Sequence, residues 1–244
     1  MGTLRLACIN AEAPPLFSLA SASGTTGGSR QGYEPAVGAL LAAGLGLDLE
    51  WVFLPWAQML ASVDDGRADA VLCGQGIIPA RQAAADFTEP YAVFHESVLV
   101  RAGDPVTSPA ELRGRRVAAI AGSTNMALAE TFDGALTVPF GGESDDVYAD
   151  MLAALRSGAV DAVVDDDVVF VPLAGSAEFD LAFTVRTGNR WGLAVAKSRR
   201  ALLGALDEAL AAVKADGRLC QAWRDWLPTL DYPFTVSPRN FTTE

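Results

Sequence analysis

The chain holds little with which to perform redox or metal chemistry. Its 244 residues include three cysteines and one histidine. Cys8, Cys73 and Cys220 are odd in number and lack metal-ligand spacing, so no metal or cofactor is expected. His95 has no ligand-spaced partner around it and reads as structural. Basic charge is also scarce, since 18 Lys and Arg against 30 Asp and Glu leave a net charge of −12. No basic patch offsets the counterion cost of nucleic acid, which excludes that partner class. No apolar run reaches transmembrane length, and no activated nucleophile or nucleotide loop stands out. No secretory leader is read at the N terminus, where Met1-Gly2-Thr3 leads straight into a strand-like run.

What the chain does have is apolar substance. Half of it is hydrophobic and 20% is charged, enough for a large core in one or two domains. The most informative stretch runs from Asp69 to Tyr91, DAVLCGQGIIPARQAAADFTEPY. Ala70-Val71-Leu72-Cys73 reads as a short buried parallel strand. Gly74 and Gly76 make a bare turn that lets a ligand approach main-chain N–H groups. Pro79 suits a helix's first turn, and Arg81 lies just inside it. A strand end, a glycine turn, a helix start and a guanidinium thus converge, a combination suited to a carboxylate.

This stretch resembles the motif D-A-hydrophobic-x-x-G-x-T-x-T-x-x-R … D-F-[ST]-x-P-Y. The motif belongs to the family 3 bacterial extracellular solute-binding proteins, the amino-acid receptors of ABC importers. Asp69-Ala70, Gly74, Gly76, Arg81 and Asp86-Phe87-Thr88-Glu89-Pro90-Tyr91 match it without a gap. The departures are Gly76, where the family usually has Ser or Thr, and Ile78, often Thr. A hydroxyl that helps hold the ligand carboxylate is therefore missing.

The resemblance extends from about Leu4 to Leu227 and implies an α/β fold. Two doubly wound α/β lobes are expected, joined by a two-crossing hinge in the type II periplasmic binding protein manner. Lobe 1 would take residues 1–98 and 190–244, and lobe 2 residues 99–189. The strand–helix alternation through Leu4–Asn10, Tyr33–Leu45, Leu47–Leu54, Ala57–Asp65 and Ala70–Cys73 itself implies a parallel sheet. Ligands of such sheets sit beyond the strands' carboxyl ends. Glycine-rich residues 20–31 read as a loop. Ser97–Arg101 and Ala182–Val185 read as the two crossings. Arg116–Ala121 then opens a second α/β pattern, followed by helices over Asn125–Phe132 and Ser144–Arg156 and a strand over Val160–Val164. Trp191–Val195 resembles the family's return strand, with helices over Ser198–Ala215 and Leu219–Trp226 behind it. The tail from Asp231 lacks periodicity and is expected on the surface.

The resemblance also nominates the remaining site residues. Phe17, or Leu16 beside it, matches an aromatic that lines the cleft, although Phe17 also reads as core. Trp56 matches an aromatic that stacks on the ligand, the alternative being packing between strand and helix. Gly122-Ser123-Thr124 resembles the family's G-S-T turn, with Ser123 and Thr124 facing the anion held by Arg81. Asp165-Asp166-Asp167 reads as a solvated turn, but the family's spacing from Asp161 selects Asp166 for the ligand ammonium. The family places the ends of the Cys8 and Cys73 strands side by side, and free thiols are expected there.

The implied function is capture of a small zwitterion, an amino acid or a derivative, for an ABC permease. A monomer exported to the periplasm or beyond is implied, with its leader outside this sequence. One alternative is a cyclohexadienyl dehydratase-like enzyme using Glu12 or Asp165 as general acid. A second is the ligand-binding sensor domain of a membrane receptor.

Overall fold

The computed structural model describes residues 2–19, 30–141, 144, 146–174 and 176–235. The opening half runs β1 (Thr3–Cys8), β2 (Ser18–Leu19), β3 (Arg30–Gln31), α1 (Tyr33–Leu45), β4 (Asp48–Phe53), α2 (Met59–Asp64), β5 (Ala70–Val71), α3 (Pro79–Ala84) and β6 (Asp86–Phe87). The middle comprises β7 (Ala92–Arg101), β8 (Arg116–Ile120), α4 (Thr124–Ala129), β9 (Leu136–Phe140), α5 (Val147–Ser157), β10 (Ala162–Asp166) and α6 (Asp167–Phe170). It closes with β11 (Phe179–Trp191), β12 (Ala194–Val195), α7 (Arg200–Ala215) and α8 (Arg218–Trp226).

Two five-stranded sheets organise these elements. The first has the order β4-β1-β5-β12-β6 and the second β11-β7-β10-β8-β9. Both are mixed, so the parallel pairing read from the first three strands holds for part of the sheet. β4, β1 and β5 are parallel, but β12 runs antiparallel to β5 and β6. In the second sheet β7 is antiparallel to both β10 and β11. In each sheet the reversed strand is internal, β12 lying between β5 and β6 and β7 between β11 and β10.

Side-chain alternation divides the second sheet between two cores. Val98, Val100, Val117, Ala119, Ala162 and Val164 face one, with Met126 and Phe132 packed over them. Leu99, Ala118, Ile120 and Val163 face the other, which continues through Tyr148 and Phe170 into the first sheet. Both faces of the sheet are covered, which is why these strands read as continuous apolar runs.

The two Asp-Ala echoes have one structural cause. Asp69 accepts the backbone N–H of Arg5 at 3.0 Å and pairs with its guanidinium at 3.1 Å. Asp161 does the same for Arg116, at 2.9 Å for each contact. Each aspartate thus fastens the start of a central strand to its parallel neighbour. The Arg116 contacts hold the Asp161 carboxyl down at about 2.

Several boundaries differ from expectation. The first crossing is longer than Ser97–Arg101, since β7 begins at Ala92 and places His95 inside it. His95 accepts the Gly188 N–H at 3.0 Å, which braces an irregular stretch of β11. The helix expected from Ser144 begins at Val147, because Asp146 caps it by accepting from Ala149. Residues 20–29 of the expected loop and 236–244 of the tail lie outside the described residues. The three cysteines are free thiols, all buried.

Candidate ligand-binding site

Arg81 and Asp166, the charged pair singled out in the sequence, come together where the two sheets meet. Arg81 rides on α3, which Pro79 opens at its first turn. Its side chain is nearly buried and stacks over the Trp56 ring at 5.3 Å. Its hydrogen bond to the Gly76 carbonyl is long, at 3.3 Å. Among the described residues it makes no ion pair. Burial lowers its pKa and the charge of Asp166 partly offsets that, so the guanidinium is held without a contact ion pair. That costs free energy unless an anion arrives.

Asp166 ends β10 and lines a narrow cavity with Gly74, Trp56, Leu16, Phe17 and Trp191. Asn125 reaches one of its oxygens at 3.4 Å, while Oδ1 is buried without a partner. The run Asp165-Asp166-Asp167 is not the solvated turn its composition suggests, since the three are 0%, 7% and 8% exposed. Each retains an oxygen with no hydrogen bond. Asp165 faces inward, accepting from Asn125 at 3.1 Å and from the Asp166 N–H at 2.8 Å. Burial pushes the Asp165 carboxyl up to about 7, and Asp166 rises well above its ordinary value through burial and its neighbour's charge. Glu96, bonded by Thr187, is raised by burial to about 7 as well. Four buried carboxyls, three of them with an orphan oxygen, form a site that a cation would stabilise.

The glycine turn is set from beneath by a residue the sequence did not expose. Glu34 starts α1, where an acidic side chain reads merely as a complement to the helix dipole. Instead it is buried, accepting the Gly74 N–H at 2.7 Å and the Tyr91 hydroxyl. Burial raises it to about 7. The Gly74 N–H is therefore committed to Glu34, contrary to the expectation that it faces a ligand. Gly74 itself has φ 57° with Trp191 against it, so only glycine fits the turn.

Asn189 accounts for the missing hydroxyl at position 76. A Cβ on Gly76 would lie 2.7 Å from Asn189 Oδ1. The same amide donates to the Thr124 hydroxyl at 3.1 Å, which links β11 to the second sheet's turn. Thus a carboxamide from the long strand β11 occupies the room a side chain at 76 would need. Gly76→Ser should force Asn189 to rotate and cost about 1 kcal/mol of stability. In an Asn189→Ala background the same serine should cost little; an equal cost in both backgrounds, by denaturant titration, would refute the link.

The other nominated residues divide. Thr124 opens α4 and its hydroxyl faces Asn189. The Ser123 hydroxyl is occupied as the cap of α4, accepting from Met126 at 3.0 Å and donating to Ile120 at 2.7 Å. Trp56 is half-buried on the cavity wall. Phe17 and Leu16 both reach the narrow cavity, so the choice between them dissolves. Phe17 also meets Tyr148 edge-on at 6.5 Å. Glu12 lines a separate apolar cavity of about 180 Å³ with Tyr148, Met151 and Phe170. It therefore stands apart from Arg81 and Asp166.

The chain is similar in sequence and fold to known proteins. A glutamine-binding protein of an ABC transporter from Bacillus subtilis (strain 168) is 28% identical over 168 residues, covering 68% of this chain and 60% of that protein. ABC transporter arginine-binding protein 1 from Escherichia coli (strain K12) is 29% identical over 178 residues, 70% of this chain and 71% of that one. In three dimensions the chain resembles an ancestral arginine-binding protein bound to arginine, at a TM-score of 0.81 and 26% identity, covering 93% and 99% of the two chains. The profile of the bacterial extracellular solute-binding proteins, family 3, matches residues 7–229, and the chain belongs to that family.

Proposed function

We propose that this protein captures a free amino acid or a close derivative and presents it to the permease of an ABC transporter. The observation that supports this reading is a buried Arg81, stacked on the Trp56 wall of the narrow cavity and within electrostatic reach of Asp166, whose orphaned oxygen belongs to that same cavity's lining. A zwitterion satisfies both at once, its carboxylate on the Arg81 fork and its ammonium on Asp166. Residues 1–98 with 190–244 then form one lobe and 99–189 the other, β7 and β11 being the hinge strands. Closure of the lobes brings Thr124 and Asp166 to the ligand that Arg81 holds. The protein acts as a monomer in the periplasm or outside the cell.

A thermal-shift panel tests this. At 100 times its dissociation constant an amino acid should add about 2.7 kcal/mol of stability. Des-amino acids and simple amines should add far less. Stabilisation by amines alone, or release of phenylpyruvate from prephenate, would replace the reading with a different one.

A further inference from the structure

The cleft does not end at the charged pair. It opens into a cavity of about 310 Å³ that shares Ile9, Trp56 and Ile120 with the narrow one. A ligand anchored between Arg81 and Asp166 therefore has its side chain directed along this continuation. Ile9, Phe53 and Trp56 from the first sheet's loops and strands face Ile120, Phe140 and Val147 from the second. Apart from the Trp56 indole, Asn10 and Ser144 supply the polar side chains of the wall, and the Ser144 hydroxyl is already bonded to Asp150. No formally charged residue is among the described lining residues.

Two further observations concern this wall specifically. Phe53 is 37% exposed, one of two large hydrophobic side chains left open among the described residues. That partly open ring is on the wall of the cavity, where a ligand side chain would cover it. Behind it, Arg30 stacks over the Phe53 and Phe17 rings at 5.2 and 4.5 Å. Arg30 is buried and makes no ion pair among the described residues, its hydrogen bonds running to the Cys8 sulfur and the Ile9 and Ala11 carbonyls. A positive charge behind an apolar wall disfavours a second guanidinium or ammonium in front of it. A ligand amide or guanidinium would also leave donors unpaired, which a buried site penalises.

We propose that the ligand is an α-amino acid with a bulky apolar side chain, aromatic foremost, received by this cavity. Unlike the arginine and glutamine in the names of the relatives above, such a side chain asks nothing polar of the wall. The inference rests on the amino-acid reading and narrows it.

Calorimetry with phenylalanine, leucine, alanine, glutamine and arginine decides it. Phenylalanine should bind about ten- to a hundredfold tighter than alanine, the range expected for burying such a side chain. Arginine and glutamine should bind no tighter than alanine. Phe53→Ala should weaken phenylalanine several-fold and leave alanine unchanged. Because Phe53 is partly open, that variant should fold, which its melting curve checks. If arginine or glutamine binds tighter than phenylalanine, the inference fails while the amino-acid reading stands. If no α-amino acid binds, that reading fails and the inference with it.

Discussion

Arg81→Ala should weaken amino-acid binding by about 2–5 kcal/mol, the usual loss when one partner of a buried charge pair is removed. The loss is large because Arg81 is buried, makes no ion pair among the described residues, and is only partly compensated by Asp166. Trp56 stacked on its face holds the guanidinium plane, so its fork is set before the ligand arrives. Arg81→Lys should recover little, since an ammonium makes neither the two-pronged contact nor the stacking. The apo protein should gain stability in Arg81→Ala, because an uncompensated buried charge is gone. Calorimetry and thermal melting of the two variants check both signs. Unchanged affinity in the alanine variant would remove Arg81 from the site.

The second large effect follows from Asp166 and pH. In the unliganded protein its carboxyl is raised by burial, and the charges of Asp165, Glu96 and Asp167 raise it further; Asn125 opposes them. A ligand ammonium favours the charged form, so binding expels a proton. Affinity should therefore climb as pH rises toward the raised Asp166 value, by up to roughly tenfold per pH unit for each proton released. Stability of the empty protein should move the other way. A carboxyl whose folded value is raised stabilises most below its unfolded value and loses that contribution as pH rises through about 7, as Asp165, Glu96 and Glu34 do. Asp166→Asn should flatten the affinity profile and cost about 2–4 kcal/mol for an amino acid, with far less lost for its des-amino analogue. Calorimetry in buffers of differing ionisation enthalpy counts the proton directly. An affinity independent of pH, or equal losses for both ligands, would mean that Asp166 shapes the site without reading charge.

The sequence displayed these two residues for different reasons. Arg81 lies in a contiguous strand–turn–helix, where spacing alone converges a guanidinium on a turn. Asp166 was separated from its neighbours by resemblance, and the physical reading of the acidic run as solvated turned out wrong. Composition sees three adjacent aspartates, while burial depends on Asn125, Glu96 and Thr187 arriving from distant segments. Asn189 and Glu34 escaped for the same reason. An asparagine in an irregular strand and a glutamate at a helix start have ordinary local explanations, and their partners lie far along the chain. The mixed sheets were hidden too, since a two-residue strand such as β12 carries no mark of direction. By contrast, the core strands were readable because both faces of each are buried. The Asp-Ala echo was readable because the same strand clamp was built twice.

The most direct test of the central claim is a crystal structure of the protein with a bound α-amino acid. One ligand should place its carboxylate within hydrogen-bond reach of both Arg81 terminal nitrogens and its ammonium against Asp166 Oδ1. Its side chain should lie between Phe53, Trp56 and Phe140. A ligand in reversed orientation, or one seated in the apolar cavity beside Glu12 with Arg81 still unpaired, would contradict the account.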